Sequence, residues 1–162
     1  MAEVVDRYGP LRSSPPTPSE DLCACPGSPP VMLQAHLTAN PLSCFACNLE
    51  VPPERLALSE MLAQQLAAWR HDYDELYRLW YTSDELEDRA REQLGDPSNA
   101  VNRQGRRLVE ALQPYRRSYY WWFVDPAATD GLPAASCPIC RAALTDLSGR
   151  RVCEECAIVM GA

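Results

Sequence analysis

The 162-residue sequence contains no lysine, and all 15 of its basic residues are arginines. Because 22 acidic residues outnumber them, the formal net charge is −7. Non-specific coating of nucleic acid depends on neutralising phosphates, so this charge argues against it. The charge is unevenly spread, however: residues 71–96 hold nine acids and three arginines, whereas residues 103–117 hold five arginines and one glutamate. We therefore expect any anionic partner to contact residues 103–117.

Long apolar runs are also missing. No segment approaches the roughly 18 uncharged apolar residues that a membrane span needs. The N-terminal residues, MAEVVDRYG, contain acids and no apolar run of the kind that marks a secretory signal. We therefore expect a soluble, cytoplasmic protein without membrane contact. Thiols stay reduced in the cytoplasm, so the eight cysteines indicate metal binding rather than disulfides.

The signatures of common enzymes are absent as well. The sequence has no GxSxG, no P-loop and no glycine-rich dinucleotide motif. His36 and His71 are the only histidines, and His71 lies in an acidic stretch where an exposed or capping role is expected. Gly105, within RQGRR, is expected to allow close helix packing rather than phosphate binding. We predict a non-enzymatic protein with no catalytic residue and no evident small-molecule substrate.

The C-terminal cysteines carry the strongest positive signal. They form two CxxC pairs separated by twelve residues, Cys137, Cys140, Cys153 and Cys156. Two such pairs joined by a short hairpin can direct four thiolates to one tetrahedral zinc ion, at about 2.3 Å each. The hairpin has too few apolar residues for a core of its own, so we expect metal binding to supply its folding energy. Buried free cysteines are the alternative.

The N-terminal cysteines predict a second zinc site with one CxC pair and one CxxC pair. Its ligands would be Cys23, Cys25, Cys44 and Cys47. Two alternatives remain open: Cys44 and Cys47 could join one C-terminal pair in a single site, or His36 could replace a cysteine. Four thiolates leave no open coordination position, so both predicted zinc ions are structural. A redox-active CxxC is a further alternative, although neither end has the strand-to-helix context that such chemistry needs.

The fold prediction is α+β: a three-helix middle with a few strands, flanked by terminal zinc knuckles. The apolar spacing from Leu58 to Trp80 predicts the first helix. Thr82 and Glu85 have the capping-box spacing of a second helix, which ends at Gly95. A third is predicted from an Asn102 N-cap to Gln113. Strands are expected over residues 31–38 and 118–124, and a hairpin turn at residues 148–149.

Four segments follow from this pattern. Residues 1–22 are predicted to be a disordered proline-rich tail, since Gly9 to Glu20 hold four prolines and show no apolar periodicity. Residues 23–50 form the first zinc-knuckle and strand segment. Residues 51–130 form the helical core with the aromatic strand, and residues 131–162 form the zinc ribbon.

A nucleic-acid interface is predicted around the third helix. Its candidate phosphate ligands are Arg103, Arg106, Arg107, Arg116 and Arg117. Aromatic residues on which bases could stack lie close by in the sequence: Tyr115, Tyr119, Tyr120, Trp121 and Trp122. The alternative is structural, in which the arginines pair with the acidic helix and the aromatic rings form part of the core.

A resemblance to a known family rests on an ordered string of motifs. PLSCFACNLEVP, AWRHDYDELYRLW, NRQGRRLVEAL, SYYWWF, CPIC and CEEC resemble a bacterial family of zinc-ribbon-containing proteins of unknown function, to which nucleic-acid binding is ascribed. The resemblance covers residues 31–156 and implies a ribbon held by the C-terminal cysteines, with Cys44 and Cys47 as the upstream pair. Family members carry an additional N-terminal domain where this chain has its proline-rich segment.

Two hypotheses for function follow. In the first, the chain holds two structural zinc ions and binds DNA or RNA through its arginine-rich third helix. In the second, it is a protein-interaction or regulatory module, such as a toxin-neutralising partner, that presents the acidic residues 72–96 to a basic protein.

Overall fold

The computed structural model describes residues 6–161, which have mixed α and β structure as predicted. The helices are α1 (Glu60–Thr82), α2 (Glu87–Gly95) and α3 (Ala100–Leu112). The strands are β1 (Val31–Leu33), β2 (Leu42–Cys44), β3 (Ser118–Trp122), β4 (Thr145–Leu147), β5 (Arg150–Cys153) and β6 (Ile158–Met160). Short 3-10 turns cover Gly9–Leu11, Ser19–Asp21 and Pro53–Arg55.

The strands form one six-stranded sheet in the order β2-β1-β3-β6-β5-β4. Strand β3 pairs in parallel with β1 on one side and with β6 on the other, while the outer pairs are antiparallel. The predicted hairpin is confirmed between β4 and β5, where Ser148 and Gly149 both have positive φ. Three of the segments predicted from sequence, 23–50, 51–130 and 131–162, therefore contribute strands to the same sheet.

The helices do not form a separate three-helix middle. They cover one face of the sheet, and their apolar side chains share a core with alternate residues of the strands, such as Val31, Leu33 and Tyr120. The intervening residues, Met32 and Tyr119, point to the opposite face, where they form a smaller apolar cluster. The cysteine-bearing segments at the two ends therefore belong to the same sheet.

Helix α1 begins at Glu60, two residues after Leu58, where its predicted apolar spacing starts. The Ser59 hydroxyl accepts a hydrogen bond from the Leu62 amide (3.2 Å) and caps the first turn. Leu62, Leu66, Trp69 and Tyr73 follow at steps of four and three and are all buried. The predicted apolar face of this helix is confirmed over that stretch.

The predicted starts of the next two helices were wrong. Helix α2 begins at Glu87, after a turn in which the Leu86 amide donates to Ser83 Oγ (3.2 Å). Helix α3 begins at Ala100, and Asn99 caps it by accepting from the Val101 amide (2.9 Å).

Asn102, expected to be the cap of α3, is instead a buried link between α2, α3 and the sheet. Its amide donates to the carbonyls of Leu94 (3.0 Å) and Asp96 (2.8 Å) at the end of α2. Its carbonyl accepts from the Tyr120 hydroxyl (2.8 Å) in β3. These bonds satisfy carbonyls that the end of α2 leaves without helical partners.

The proline-rich segment packs on the protein from residue 6 onward, in place of the disordered tail predicted over residues 1–22; residues 1–5 lie outside the described part. Tyr8 and Leu11 are 3% and 2% exposed, and the 3-10 turn between them contacts α1. The Tyr8 hydroxyl donates to the Leu58 carbonyl (3.1 Å). The burial of Tyr8 and Leu11 offsets the entropy cost of ordering this segment. The average composition of the segment did not indicate that it could do so.

Candidate metal centres

The N-terminal centre gathers the four cysteines predicted for it. The Sγ atoms of Cys23, Cys25, Cys44 and Cys47 all lie within 4.8 Å of one another. Cys44 is the last residue of β2, and its CxxC turn follows at once. The CxC pair reaches the same point because the Cys23 amide donates to the Glu50 carbonyl (2.7 Å), just beyond that turn.

The C-terminal centre gathers the four cysteines of the predicted ribbon. The Sγ atoms of Cys137, Cys140, Cys153 and Cys156 also lie within 4.8 Å of one another. Cys153 ends β5, and the turn after it leads directly into β6. Since Cys44 and Cys47 join the N-terminal pair instead, the alternative of one mixed site is excluded.

The CxxC turns share one backbone device. The residue after the second cysteine has a positive φ in all three: 63° at Asn48, 65° at Arg141 and 51° at Ala157. This left-handed residue reverses the chain so that both thiols of a pair face the same point. In the first two turns its amide donates to the carbonyl of the first cysteine, at 2.8 Å for Asn48 and 3.0 Å for Arg141. The backbone of each of these turns therefore directs its own two thiols to one point.

The spacing of the sulfurs suits a shared metal ion. Cys140 Sγ and Cys153 Sγ are 3.6 Å apart, much longer than a disulfide bond of about 2.05 Å. A tetrahedral ion with ligands at about 2.3 Å separates its sulfurs by roughly 3.8 Å. All eight cysteines are free thiols, so each tetrad can hold a metal ion.

The electrostatics of the tetrads also favour a cation. Burial raises the pKa of the Cys44 and Cys153 thiols. Burial also acts to raise the pKa of Cys23, but hydrogen bonds from the Cys25 amide, the neighbouring thiols and Arg55 lower it to about 7. The Ala142 amide lowers the pKa of Cys140. Four thiolates this close repel one another, and a divalent ion is the group that allows all four to ionise together.

Neither histidine belongs to a tetrad. His36 lies in the loop after β1, since that strand ends at Leu33 rather than at Thr38. His36 is half-buried, burial lowers its pKa, and its Nε2 has no hydrogen-bond partner among residues 6–161. The strand predicted over residues 31–38 therefore does not reach His36, and His36 does not replace a cysteine ligand. His71 is exposed on α1 and lies 3.5 Å from Glu75.

A chain of contacts connects the two centres across β3. Phe45, inside the N-terminal CxxC turn, packs against the Tyr119 ring with centroids 5.2 Å apart. The Tyr119 hydroxyl donates to the Glu154 carboxylate (3.0 Å), inside the second CxxC turn of the ribbon. From β5, Arg150 Nε donates to the Phe45 carbonyl (3.1 Å). Each centre therefore rests partly on residues of the other.

The five predicted nucleic-acid-binding arginines divide into two groups. Arg103 and Arg107 are exposed on α3 and Arg106 is half-buried, and none of the three has a salt bridge within residues 6–161. Arg117 pairs with Glu154 and stacks on the Tyr119 ring. Arg116 is half-buried, and its guanidinium lies 3.5 Å from the Arg55 carbonyl. Only the α3 arginines remain free for a ligand.

The predicted stacking aromatics mostly belong to the core. Tyr119, Tyr120 and Trp122 are buried, and Trp121 is half-buried under the Arg150 guanidinium. Tyr115, at 39% exposed, is the most accessible of the five. The aromatic residues of β3 therefore pack within the protein and do not form a row of exposed rings for base stacking.

Comparison with known proteins gives no relative. No protein-family model matches the chain, and searches of curated proteins and of solved structures found no match. The two tetrads fit zinc-ribbon-like sites, which is the part of the family resemblance that the structure supports. Within residues 6–161, none of the helices combines the length and the apolar composition needed to cross a membrane.

Proposed function

We propose that this chain is a non-enzymatic, cytoplasmic zinc protein that holds two structural zinc ions and binds nucleic acid through α3. Four thiolates complete the tetrahedral coordination of zinc, so each centre suits a structural role. The donor set supports zinc over magnesium or calcium, which prefer oxygen ligands. In this proposal the two metal ions stabilise the two ends of the sheet on which α3 packs.

The observation that carries the nucleic-acid proposal is a set of arginines on α3 that form no salt bridge with any residue from 6 to 161. Arg103 and Arg107 are one helical turn apart and lie on the same side of the helix. Two acids of the acidic helix, Glu87 and Asp88, pair with Arg91 rather than with the α3 arginines. Asp72 lines the same crevice as Arg103 and Arg107 without reaching salt-bridge distance. Exposed guanidinium groups without acidic partners favour binding of phosphates.

The test is a titration of zinc-loaded protein with single- and double-stranded DNA and RNA at several salt concentrations. Arg103→Glu combined with Arg107→Glu is expected to weaken binding at least tenfold. Because each lost phosphate contact removes roughly 0.9 from the slope of log affinity against log salt, we expect that slope to fall by about 2.

Arg78→Glu combined with Arg89→Glu is the matched control, because it changes the net charge equally at exposed sites outside α3. Its binding should stay close to that of the wild type. Equal weakening in both variants, or none in the α3 variant, would contradict a site on α3.

A second candidate function is favoured by the turn between α1 and α2. Tyr81 and Leu86 are exposed there, at 75% and 41%. Asp84 and Glu85 lie between them, are exposed, and form no salt bridge in the described part of the chain. Apolar side chains beside unpaired acids suit a basic protein partner.

Pull-down from native lysate tests this candidate by comparing variants. Tyr81→Ala with Asp84→Asn and Glu85→Gln is expected to lose a basic protein that the wild type retains. Glu92→Gln with Asp72→Asn is the control, since both acids are exposed outside the turn. An identical set of captured proteins for all three chains would rule the turn out as a docking site.

A further inference from the structure

The guanidinium of Arg55 lies against the N-terminal centre. Its Nη1 atom donates to the Cys23 carbonyl (2.6 Å) and approaches Cys23 Sγ (3.4 Å). Its Nη2 atom donates to the Cys25 carbonyl (3.0 Å). Arg55 is the last residue of the 3-10 turn Pro53–Arg55, which follows the CxxC pair of the same centre. One side chain therefore clamps both residues of the CxC pair from outside.

The CxC pair needs hydrogen bonds from outside because it lacks the left-handed residue that closes the CxxC turns. Each CxxC turn is closed by its own left-handed residue, whereas the residue after Cys25 is Pro26, which does not have positive φ. The fixed fork of a guanidinium can hold two carbonyls at once, which a lysine ammonium cannot do with the same geometry.

Arg55 also supplies charge where the metal centre needs it. A zinc ion with four thiolates carries a net charge of about −2, and hydrogen bonds to ligand sulfurs from outside the coordination sphere strengthen such centres. In the C-terminal centre, no side-chain cation among residues 6–161 donates to a sulfur; the Ile139 amide reaches Cys137 Sγ at 3.4 Å. The Cys140 side chain of that centre is also exposed.

We propose that Arg55, by donating to both carbonyls of the CxC pair and approaching the Cys23 sulfur, makes the N-terminal centre retain its metal more tightly than the C-terminal centre. The inference rests on zinc occupying both centres, as the proposed function requires. The C-terminal centre then loses its metal first to a chelator, because Cys140 is accessible and no cationic side chain in the described part of the chain donates to its thiolates. The chain passes through a form with one ion, held by the N-terminal centre.

The test is zinc release from the loaded full-length chain to 4-(2-pyridylazo)resorcinol, a chelator that changes colour when it binds zinc. Zinc content is measured first: about two ions per chain are required, and a chain without zinc overturns both the proposed function and this inference. Release is then expected in two phases of equal amplitude, with rates at least tenfold apart. Cys137→Ser with Cys153→Ser should lose the fast phase, which assigns the fast phase to the C-terminal centre.

Arg55→Gln is expected to accelerate the slow phase about tenfold and to leave the fast phase unchanged. Arg12→Gln is the matched control, because Arg12 pairs with Asp6 and Glu54 and touches no sulfur. A single release rate in the wild type, or an unchanged slow phase in Arg55→Gln, would overturn the proposal.

If Arg55→Gln loses its circular dichroism signal, Arg55→Lys replaces it. Lysine keeps the charge but does not span both carbonyls. An unaltered slow phase in that variant would equally overturn the proposal.

Discussion

Replacing Cys137 and Cys153 with serine is expected to remove one of two bound zinc ions and to unfold the ribbon over residues 137–161. Both side chains are buried, and they come from the two different CxxC pairs of the centre. The ribbon has few apolar residues of its own to replace the metal. Structural zinc contributes on the order of 10 kcal/mol in small zinc modules, which is comparable with the whole stability of a domain.

The damage should extend beyond the ribbon because β6 lies inside the sheet, between β3 and β5. Val159 pairs with Trp121 on one side and with Val152 on the other. Loss of β6 would leave one edge of β3 without its parallel partner. We therefore expect hydrogen exchange to accelerate throughout β4, β5 and β6, and to a smaller degree in β3.

Hydrogen-exchange mass spectrometry with zinc counting on the same samples measures this effect. Thr145→Val, an exposed change in β4 that keeps all four thiols, should exchange like the wild type and bind two ions. Removing zinc from the wild type with a chelator should reproduce the ribbon pattern. Protected ribbon amides in a serine variant that has lost one ion would show that the metal does not hold this segment.

Gly105→Ala is the second large effect, and its direction opposes helix propensity. Alanine is favoured over glycine inside a helix by about 1 kcal/mol. At this position, however, the added Cβ would lie 2.5 Å from Cε2 and 2.8 Å from Cζ of Tyr120, and 3.0 Å from Trp69 Nε1. Neither ring can withdraw easily: the Tyr120 hydroxyl donates to Asn102 (2.8 Å), and Trp69 Nε1 donates to the Val101 carbonyl (3.0 Å).

Overpacking of this kind costs about 1–3 kcal/mol, and here it also strains two buried hydrogen bonds. We expect Gly105→Ala to lower the free energy of unfolding by roughly 2 kcal/mol, measured from the urea midpoint of the zinc-loaded protein. Gln104→Ala, at the neighbouring half-exposed position, is the control and should change it by less than about 0.5 kcal/mol. A stability equal to or above that of the wild type would show that α3 can move away from β3.

The two cysteine tetrads could be predicted because the sequence information that specifies them is local. A CxxC pair fixes two thiols within one turn, and the short hairpin between Cys140 and Cys153 leaves few ways to arrange the second pair. The expected role of Gly105 in close packing is confirmed as well, although its main neighbour is the ring of Tyr120 in the sheet. The apolar spacing of α1 likewise gave its buried face directly.

The sheet could not be predicted in the same way. Its parallel pairs join positions far apart in sequence, such as Val31 with Ser118 and Tyr120 with Ile158. Strands of three to five residues carry too little periodicity to specify such partners. Asn102 shows the same limit: its sequence context suits a helix cap, but tertiary hydrogen bonds to α2 and Tyr120 make it a buried link.

Arg55 had no sequence signal at all. It lies eight residues after Cys47 and thirty or more after the CxC pair that it contacts. The burial of Tyr8 and Leu11 could not be predicted for a different reason. The segment is rich in proline and shows no apolar periodicity, so two isolated apolar residues did not indicate that it packs on the protein. In each case the decisive contact joins segments that no local pattern connects.

We expect two four-thiolate zinc centres to fix the two cysteine-bearing ends of one sheet. Native mass spectrometry of the full chain, combined with X-ray absorption at the zinc edge, tests it most directly. We predict two zinc ions per chain, each with four sulfur ligands at about 2.3 Å. A single ion per chain, or nitrogen or oxygen ligands in place of sulfur, would contradict the account.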